Sequence, residues 1–151
     1  MRIYLACTVR GDRNAITTAR HIHDRLVAAG HKVLTSHLLR DDVEEVEQGA
    51  TDEHVYARDL DWLTSADVIV AEASGSSYGV GFEVGFTLGR AAHSGQRVFV
   101  LYQADKRGKV SRLISGMLHE QAEVLAYGSI DEIDAFLEKH QLVSAGAETQ
   151  D

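Results

Sequence analysis

Five short apolar segments, each followed by a stretch of helical spacing, constrain this chain more than any other feature. RIYLAC (2–7), KVLTS (32–36), DVIVAE (67–72), RVFVLY (97–102) and AEVLAY (122–127) are rich in β-branched or aromatic residues and have the length of buried strands. Apolar residues then recur at helical spacing in five stripes. These are Ala15, Ile16, Ala19, Ile22 and Leu26; Tyr56, Leu60 and Leu63; Val80, Val84, Leu88 and Ala91; Val110, Leu113, Ile114 and Met117; and Ile130, Ile133 and Leu137. Strands that alternate with helices are joined by crossovers, which give a parallel sheet covered on both faces. The expected fold is α/β, a Rossmann- or flavodoxin-like doubly wound sheet of about five parallel strands with helices on both faces. Gly30 and Gly95 stand where helices should end, and Ser129 with Glu132 reads as a capping box that starts the last helix.

The 151 residues carry no internal repeat and no compositional break. Residues 1–141 are expected to form a single domain, and 142–151, ending in SAGAETQD, a flexible tail. The acidic stretch RDDVEEVEQGA (40–50) reads as a solvated helix, with a mobile insert as the alternative. A formal net charge of −8 argues against nonspecific binding to nucleic acid or to an anionic membrane. It leaves room for a small anion held by a local cluster of donors. No apolar run reaches the roughly 18–20 residues that cross a bilayer, and the opening MRIYLAC is too short for a secretion signal. The single cysteine excludes an internal disulfide and suits a reducing cytoplasm, the expected location. The eight histidines are scattered, and His21 and His23 face different ways on their helix, so no metal is expected.

In a parallel α/β sheet, ligands bind at the carboxyl ends of the strands. The segment after the third strand, GSSYGVGFEVG (75–85), combines four glycines, two serines and one acid. Glycine lets backbone approach a ligand closely, serine adds hydroxyls, and a helix N-terminus adds partial positive charge. Ser76, Ser77, Gly79 and Gly81 together read as a phosphate cradle, although the spacing is neither a P-loop nor GxGxxG. A turn packed tightly for structural reasons alone is the competing reading. Glu83 is expected in the first turn of the next helix, where the helix end keeps its carboxylate ionised. From there it is placed to attack an anomeric carbon, the chemistry of retaining glycoside cleavage. Arg10, just past the first strand, is placed to meet a phosphate or carboxylate. Tyr4, inside that strand, reads equally as core or as site.

The blocks YLACTVRGDR, LTSH, RDLDWLTSADVIVAEASGSSYGVGFEVG and KVSRLISG together resemble the 2′-deoxynucleoside 5′-monophosphate N-glycosidases of the nucleoside 2-deoxyribosyltransferase superfamily, over residues 2–137. The resemblance implies a nucleotide substrate, no cofactor, and a homodimer whose site is shared across subunits. It makes Glu83 the nucleophile at C1′, Asp59 an assisting acid that protonates the base or holds the sugar, and Tyr4 a neighbour of the nucleophile. Thr8 and Arg10 fall in the loop after the first strand, Ser77 and Gly79 match phosphate ligands, and His37 lines the nucleobase side. Ser111 matches a phosphate-binding serine supplied by the neighbouring subunit, across a one-residue gap. Thr8 stands in place of the commoner serine, and Asp12 where close relatives have glycine.

The reading is a hydrolase of (deoxy)nucleoside 5′-monophosphates. Three others stay open: a deoxyribosyltransferase, which would not need a serine-rich phosphate cradle; a cytidylate-type ribonucleotide N-glycosidase; and a nucleotide sensor without turnover. Glu83 argues against the sensor, because a carboxylate beside the anomeric carbon repels an anionic ligand.

Overall fold

The computed structural model describes residues 1–10 and 12–144. Five strands, β1 (Arg2–Ala6), β2 (Lys32–Val33), β3 (Val68–Glu72), β4 (Arg97–Gln103) and β5 (Ala122–Tyr127), form one sheet in the order β2-β1-β3-β4-β5. Every strand pair is parallel. The chain starts mid-sheet, runs to one edge, then crosses back over β1, so the order reverses between β1 and β3.

The alternation of side chains along each strand gives the sheet two buried faces. Ile3, Leu5, Val68, Val70, Phe99 and Leu101 point to one, where α1 (Ile16–Ala28) lays down Ala19, Ile22 and Leu26. On the same face α6 (Ile130–Lys139) adds Ile133, Phe136 and Leu137. Tyr4, Ala6, Ile69, Ala71, Val98 and Val100 point to the other face. There they meet Leu63 of α3 (Asp52–Ser65) and Val80 and Val84 of α4 (Tyr78–Ser94). Two short helices complete the fold, α2 (Val43–Glu47) and α5 (Arg112–Ser115). Leu142 and Val143 are buried in the core, so packed chain runs beyond residue 141. The rest of the expected tail, from residue 145 on, lies outside the described residues.

Three local features depart from the sequence expectation. β2 is a two-residue stub, because Thr35 turns its hydroxyl onto β1, accepting from Leu5 N at 3.0 Å and donating to Leu5 O at 2.7 Å. That side chain takes the place of the next ladder bonds, and a 3-10 turn over Ser36–Leu39 follows. The fourth stripe yields only the single turn of α5, with Leu113 exposed. The acidic stretch forms the expected helix with most of its residues in solvent, and departs from expectation only in that Val43 is buried against the core. The helix ends agree with expectation: Gly30 and Gly95 take φ of 81° and 70°, the left-handed region that glycine enters without steric cost. Ser129 accepts from Glu132 N at 3.3 Å, while Glu132 closes back on Gly128 N at 2.8 Å, one residue earlier than in a standard capping box.

Candidate active site

The glycine-rich loop is anchored from behind. Glu72, at the last position of β3, is buried and accepts from the hydroxyl and backbone N–H of Ser74 and from Tyr127 Oη at 2.9 Å. Ser74 Oγ in turn accepts from Gln103 N at 2.8 Å, which ties the loop to the ends of β4 and β5. Burial raises the Glu72 carboxyl above its ordinary range, against the pull of these donors. The next residue has to be glycine, since a Cβ on Gly75 would lie 2.2 Å from Thr8 Oγ1 and 2.4 Å from Asp12 O. Ser76 takes the left-handed φ of 53° and donates its hydroxyl to Lys109 O at 2.6 Å. That hydroxyl is engaged within the fold, and the expected four-residue cradle narrows to Ser77 and Gly79. Ser77 caps α4, accepting from Val80 N at 3.5 Å. The amides of Tyr78 and Gly79 at the helix start then have no intrahelical acceptor, the usual geometry for receiving an anion.

Glu83 lies in the second turn of α4, not the first, and α4 has no acid in its first turn. Its side chain reaches down to the sheet, where Tyr4 Oη donates to Glu83 Oε1 at 2.6 Å. Tyr4 is fully buried in β1, so it is both core and site. The expectation that the helix end keeps Glu83 ionised fails here. Burial pushes its carboxyl up to about 7, with the charge of Asp59 adding to the rise and the Tyr4 hydrogen bond opposing it. Burial, with the Glu83 charge beside it, drives the Tyr4 phenol well above its ordinary range, so Tyr4 is a permanent donor.

A second group faces this pair from the β2 side. Asp59 on α3 accepts from Arg58 Nε at 2.9 Å. The same guanidinium forks onto Glu47 of α2, with Nη1 to Oε1 at 2.9 Å and Nη2 to Oε2 at 3.4 Å. It also lies over the Trp62 ring, 4.9 Å from the centroid. His37, in the turn after β2, bonds Glu47 Oε1 at 3.2 Å and meets Trp62 edge-on at 5.4 Å. Burial and the Arg58 charge hold the His37 imidazole below its ordinary value. Burial alone would raise Glu47, but Arg58 and His37 outweigh it and lower the carboxyl.

Between the two groups lies a cleft of about 460 Å³ over the carboxyl ends of β1 and β3, within the range of small-ligand sites. It brings together Arg10, Asp59, Ser77, Gly79 and Glu83, with Tyr4 beneath Glu83 and His37 behind Glu47. Arg10 is exposed and makes no hydrogen bond to another described residue. Thr8 and Ser111 are not on the cleft wall. The Thr8 hydroxyl is buried against Gly75 without a hydrogen-bond partner among the described residues, and Ser111 caps α5 by accepting from Leu113 N at 3.3 Å. Sequence reasoning missed Glu72, Glu47, Arg58 and Trp62. An acid closing an otherwise apolar strand was a legible signal for Glu72, and Arg58 and Trp62 stand at i, i+4 spacing around Asp59. Glu47 was hidden in a segment read as solvated. Among the described residues no group of three or more His, Cys, Asp or Glu side chains is arranged to hold a metal, and no helix is long and apolar enough to cross a membrane.

A parallel sheet of this order, with a carboxylate on α4 paired to a buried phenol of β1, defines a small α/β domain built to hold a ligand at its carboxyl edge. The chain belongs to the nucleoside 2-deoxyribosyltransferase family, whose model matches residues 3–128. It is 40% identical over 132 residues to a protein of Thermofilum pendens named as a candidate 2′-deoxynucleoside 5′-phosphate N-hydrolase 1, covering 87% of this chain and 89% of the relative. It is 34% identical to the 5-hydroxymethyl-dUMP N-hydrolase of Tetraodon nigroviridis, covering 91% and 95% of the two chains. The solved CMP N-glycosidase of Clostridium botulinum matches with a TM-score of 0.62 over 93% of this chain and 99% of that one; at 18% identity it shows a shared fold.

Proposed function

We propose that this protein is a hydrolase that cleaves the N-glycosidic bond of (deoxy)nucleoside 5′-monophosphates to free base and (deoxy)ribose 5-phosphate, as the names of its relatives describe for them. The observation that carries the reading is the Tyr4–Glu83 pair, joined at 2.6 Å at the cleft floor. Tyr4 fixes Oε1, and Oε2, which has no described hydrogen-bond partner, is left to attack C1′. The C1′–N bond breaks as the C1′–O bond forms, and the electron pair leaves with the base, which takes up a proton. Water then attacks C1′, loses a proton, and frees the Glu83 carboxylate. Asp59, held by Arg58, is placed to assist the leaving base or to hold the sugar.

Arg10, the Ser77 hydroxyl and the free amide of Gly79 fit the 5′-phosphate on the α4 side of the cleft. Thr8 and Ser111 belong to the same reading only with further steps: a rotated hydroxyl for Thr8, and a second subunit for Ser111. A homodimer is supported by exposed apolar side chains, Tyr56 and Phe82 near the cleft and Leu113 and Leu118 near Ser111. A cytoplasmic setting is supported by the lone buried thiol of Cys7.

Chromatography of base release tests the reading, run on deoxynucleoside and ribonucleoside monophosphates and on free nucleosides, with Glu83→Gln beside the native protein. Release from monophosphates, lost in the variant, is the expected result. Release from nucleosides only when a second base is present would replace it with a transferase. Binding without release would leave a sensor.

A further inference from the structure

We propose that Arg58 reads the nucleobase, and that it selects bases carrying an oxo group over their amino counterparts. The inference rests on the glycosidase reading and adds the class of base to it.

The sheet order sets the direction in which a nucleotide lies. The phosphate-type donors, Ser77 and Gly79, follow β3, whereas His37 and Glu47 follow β2. β1 stands between them, so the two ends of the cleft are separated by two strand spacings, about 10 Å, roughly the span from phosphate to base in a nucleotide. With the phosphate on the α4 side and C1′ over Glu83, the base falls against the wall of Arg58 and Glu47, with His37 behind it.

That wall offers donors. A guanidinium has five N–H groups, and Arg58 spends one on Asp59 and two on Glu47. One N–H on each terminal nitrogen has no acceptor among the described residues, and Arg58 lines the cleft. Glu47, the acid that backs Arg58 on this wall, is already taken on both oxygens, by Arg58 and by His37. The guanidinium is also held rigid, forked onto Glu47, tied to Asp59 and stacked on Trp62. A fixed, planar donor edge matches a carbonyl oxygen. An exocyclic amine in that place would set donor against donor, and a site built for one hydrogen-bonding pattern rejects the analogue that lacks it.

The test compares substrates that differ at this group: dIMP with dAMP, and dUMP with dCMP. The native enzyme is expected to favour the oxo member of each pair by about tenfold or more in kcat/KM. Arg58→Met and Arg58→Lys should bring both ratios near unity, chiefly by raising KM for the oxo substrate. A fall in kcat common to all four substrates accompanies this, because Asp59 loses its anchor. Glu47→Gln loosens the wall but keeps the donors, so its ratios should retain the native direction. Thermal melting confirms that each variant is folded. Native ratios near or below unity overturn the proposal, as do Arg58 variants that slow all four substrates equally and make Arg58 only a brace. Absence of base release from every monophosphate would instead sink the glycosidase reading. The preference would then be read as the ratio of calorimetric Kd for dIMP and dAMP, with the same expectation for the variants.

Discussion

Glu83 is asked to be buried and to be charged, and its surroundings pull in opposite directions. Burial and Asp59 raise its carboxyl to about 7, and the Tyr4 hydrogen bond lowers it. A nucleophile must be ionised, so kcat/KM is expected to rise with pH on a limb centred near 7 and to level off above it. Two substitutions should move this limb in opposite directions. Tyr4→Phe removes the bond that favours the carboxylate, so the limb moves to higher pH. Asp59→Asn removes a like charge, so it moves lower, whatever happens to the plateau. A Tyr4→Phe limb that stays in place or falls would mean that the phenol does not stabilise the ion. The same shift has a cost for the fold. The unfolded carboxyl ionises near 4.5 and the folded one near 7, so stability falls as pH rises across that window. Glu83→Gln escapes this penalty. It should be more stable than the native protein above pH 7, by about 2 kcal/mol once screening by the open cleft is allowed for. Denaturant titrations at pH 5 and pH 8 measure it: the gain should appear at pH 8 and be small at pH 5.

At the scale of elements, two glycines test two different constraints. Gly95 needs only its left-handed φ, and Gly95→Ala should cost about 1 kcal/mol with KM unchanged. Gly75 has no room, because a Cβ would strike the Thr8 hydroxyl and the Asp12 carbonyl. Gly75→Ala should therefore cost about 2 kcal/mol or more and also raise KM, since it pushes apart the loops after β1 and β3 that form the cleft. A Gly75→Ala enzyme of native stability and KM would show that these loops move freely. The same two loops explain how far the sequence could be read. β1, β3, β4 and β5 are contiguous apolar runs, central or well paired, and propensity alone placed them within a residue or two. β2 is an edge strand whose continuation is replaced by one threonine side chain, a choice that only tertiary structure makes. Glu83 stands out because an acid amid glycines is conspicuous, whereas Asp59, one of four acids on α3, is singled out only by the family resemblance. Their partners do not stand out. Glu47 meets Arg58 across eleven residues and two helices, and no local period encodes that meeting. The chemical state of Glu83 was misread for the same reason: the position along α4 suggested a helix-end effect, while the burial that decides it comes from β1 and α3.

The whole molecule poses the question of what completes the site. One subunit supplies Glu83, Tyr4, Asp59, Arg10, Ser77 and Gly79 to a single cleft, but Ser111 caps a short helix away from it. Near that helix Leu113 and Leu118 stand almost wholly in solvent, at 86% and 97% exposure, which a lone domain has no reason to maintain. If a second copy brings Ser111 to the phosphate, the two functions lie on different chains and can be separated by mutation. Glu83→Gln removes the nucleophile from a subunit but leaves its Ser111. Ser111→Ala leaves the nucleophile and removes the charge-assisted hydrogen bond, a loss of one to two decades at low substrate, or about 1.5–3 kcal/mol. When the two impaired proteins are mixed and allowed to exchange subunits, half of the dimers become mixed. Each mixed dimer holds one site with Glu83 from one chain and Ser111 from the other, and one site with neither. Activity at low substrate should then rise to about a quarter of native, well above the average of the parents. Sedimentation of the mixture checks that exchange has occurred. Exchange without recovery would place Ser111 outside the site or within its own subunit, and the phosphate would then depend on Arg10, Ser77 and the α4 amides alone.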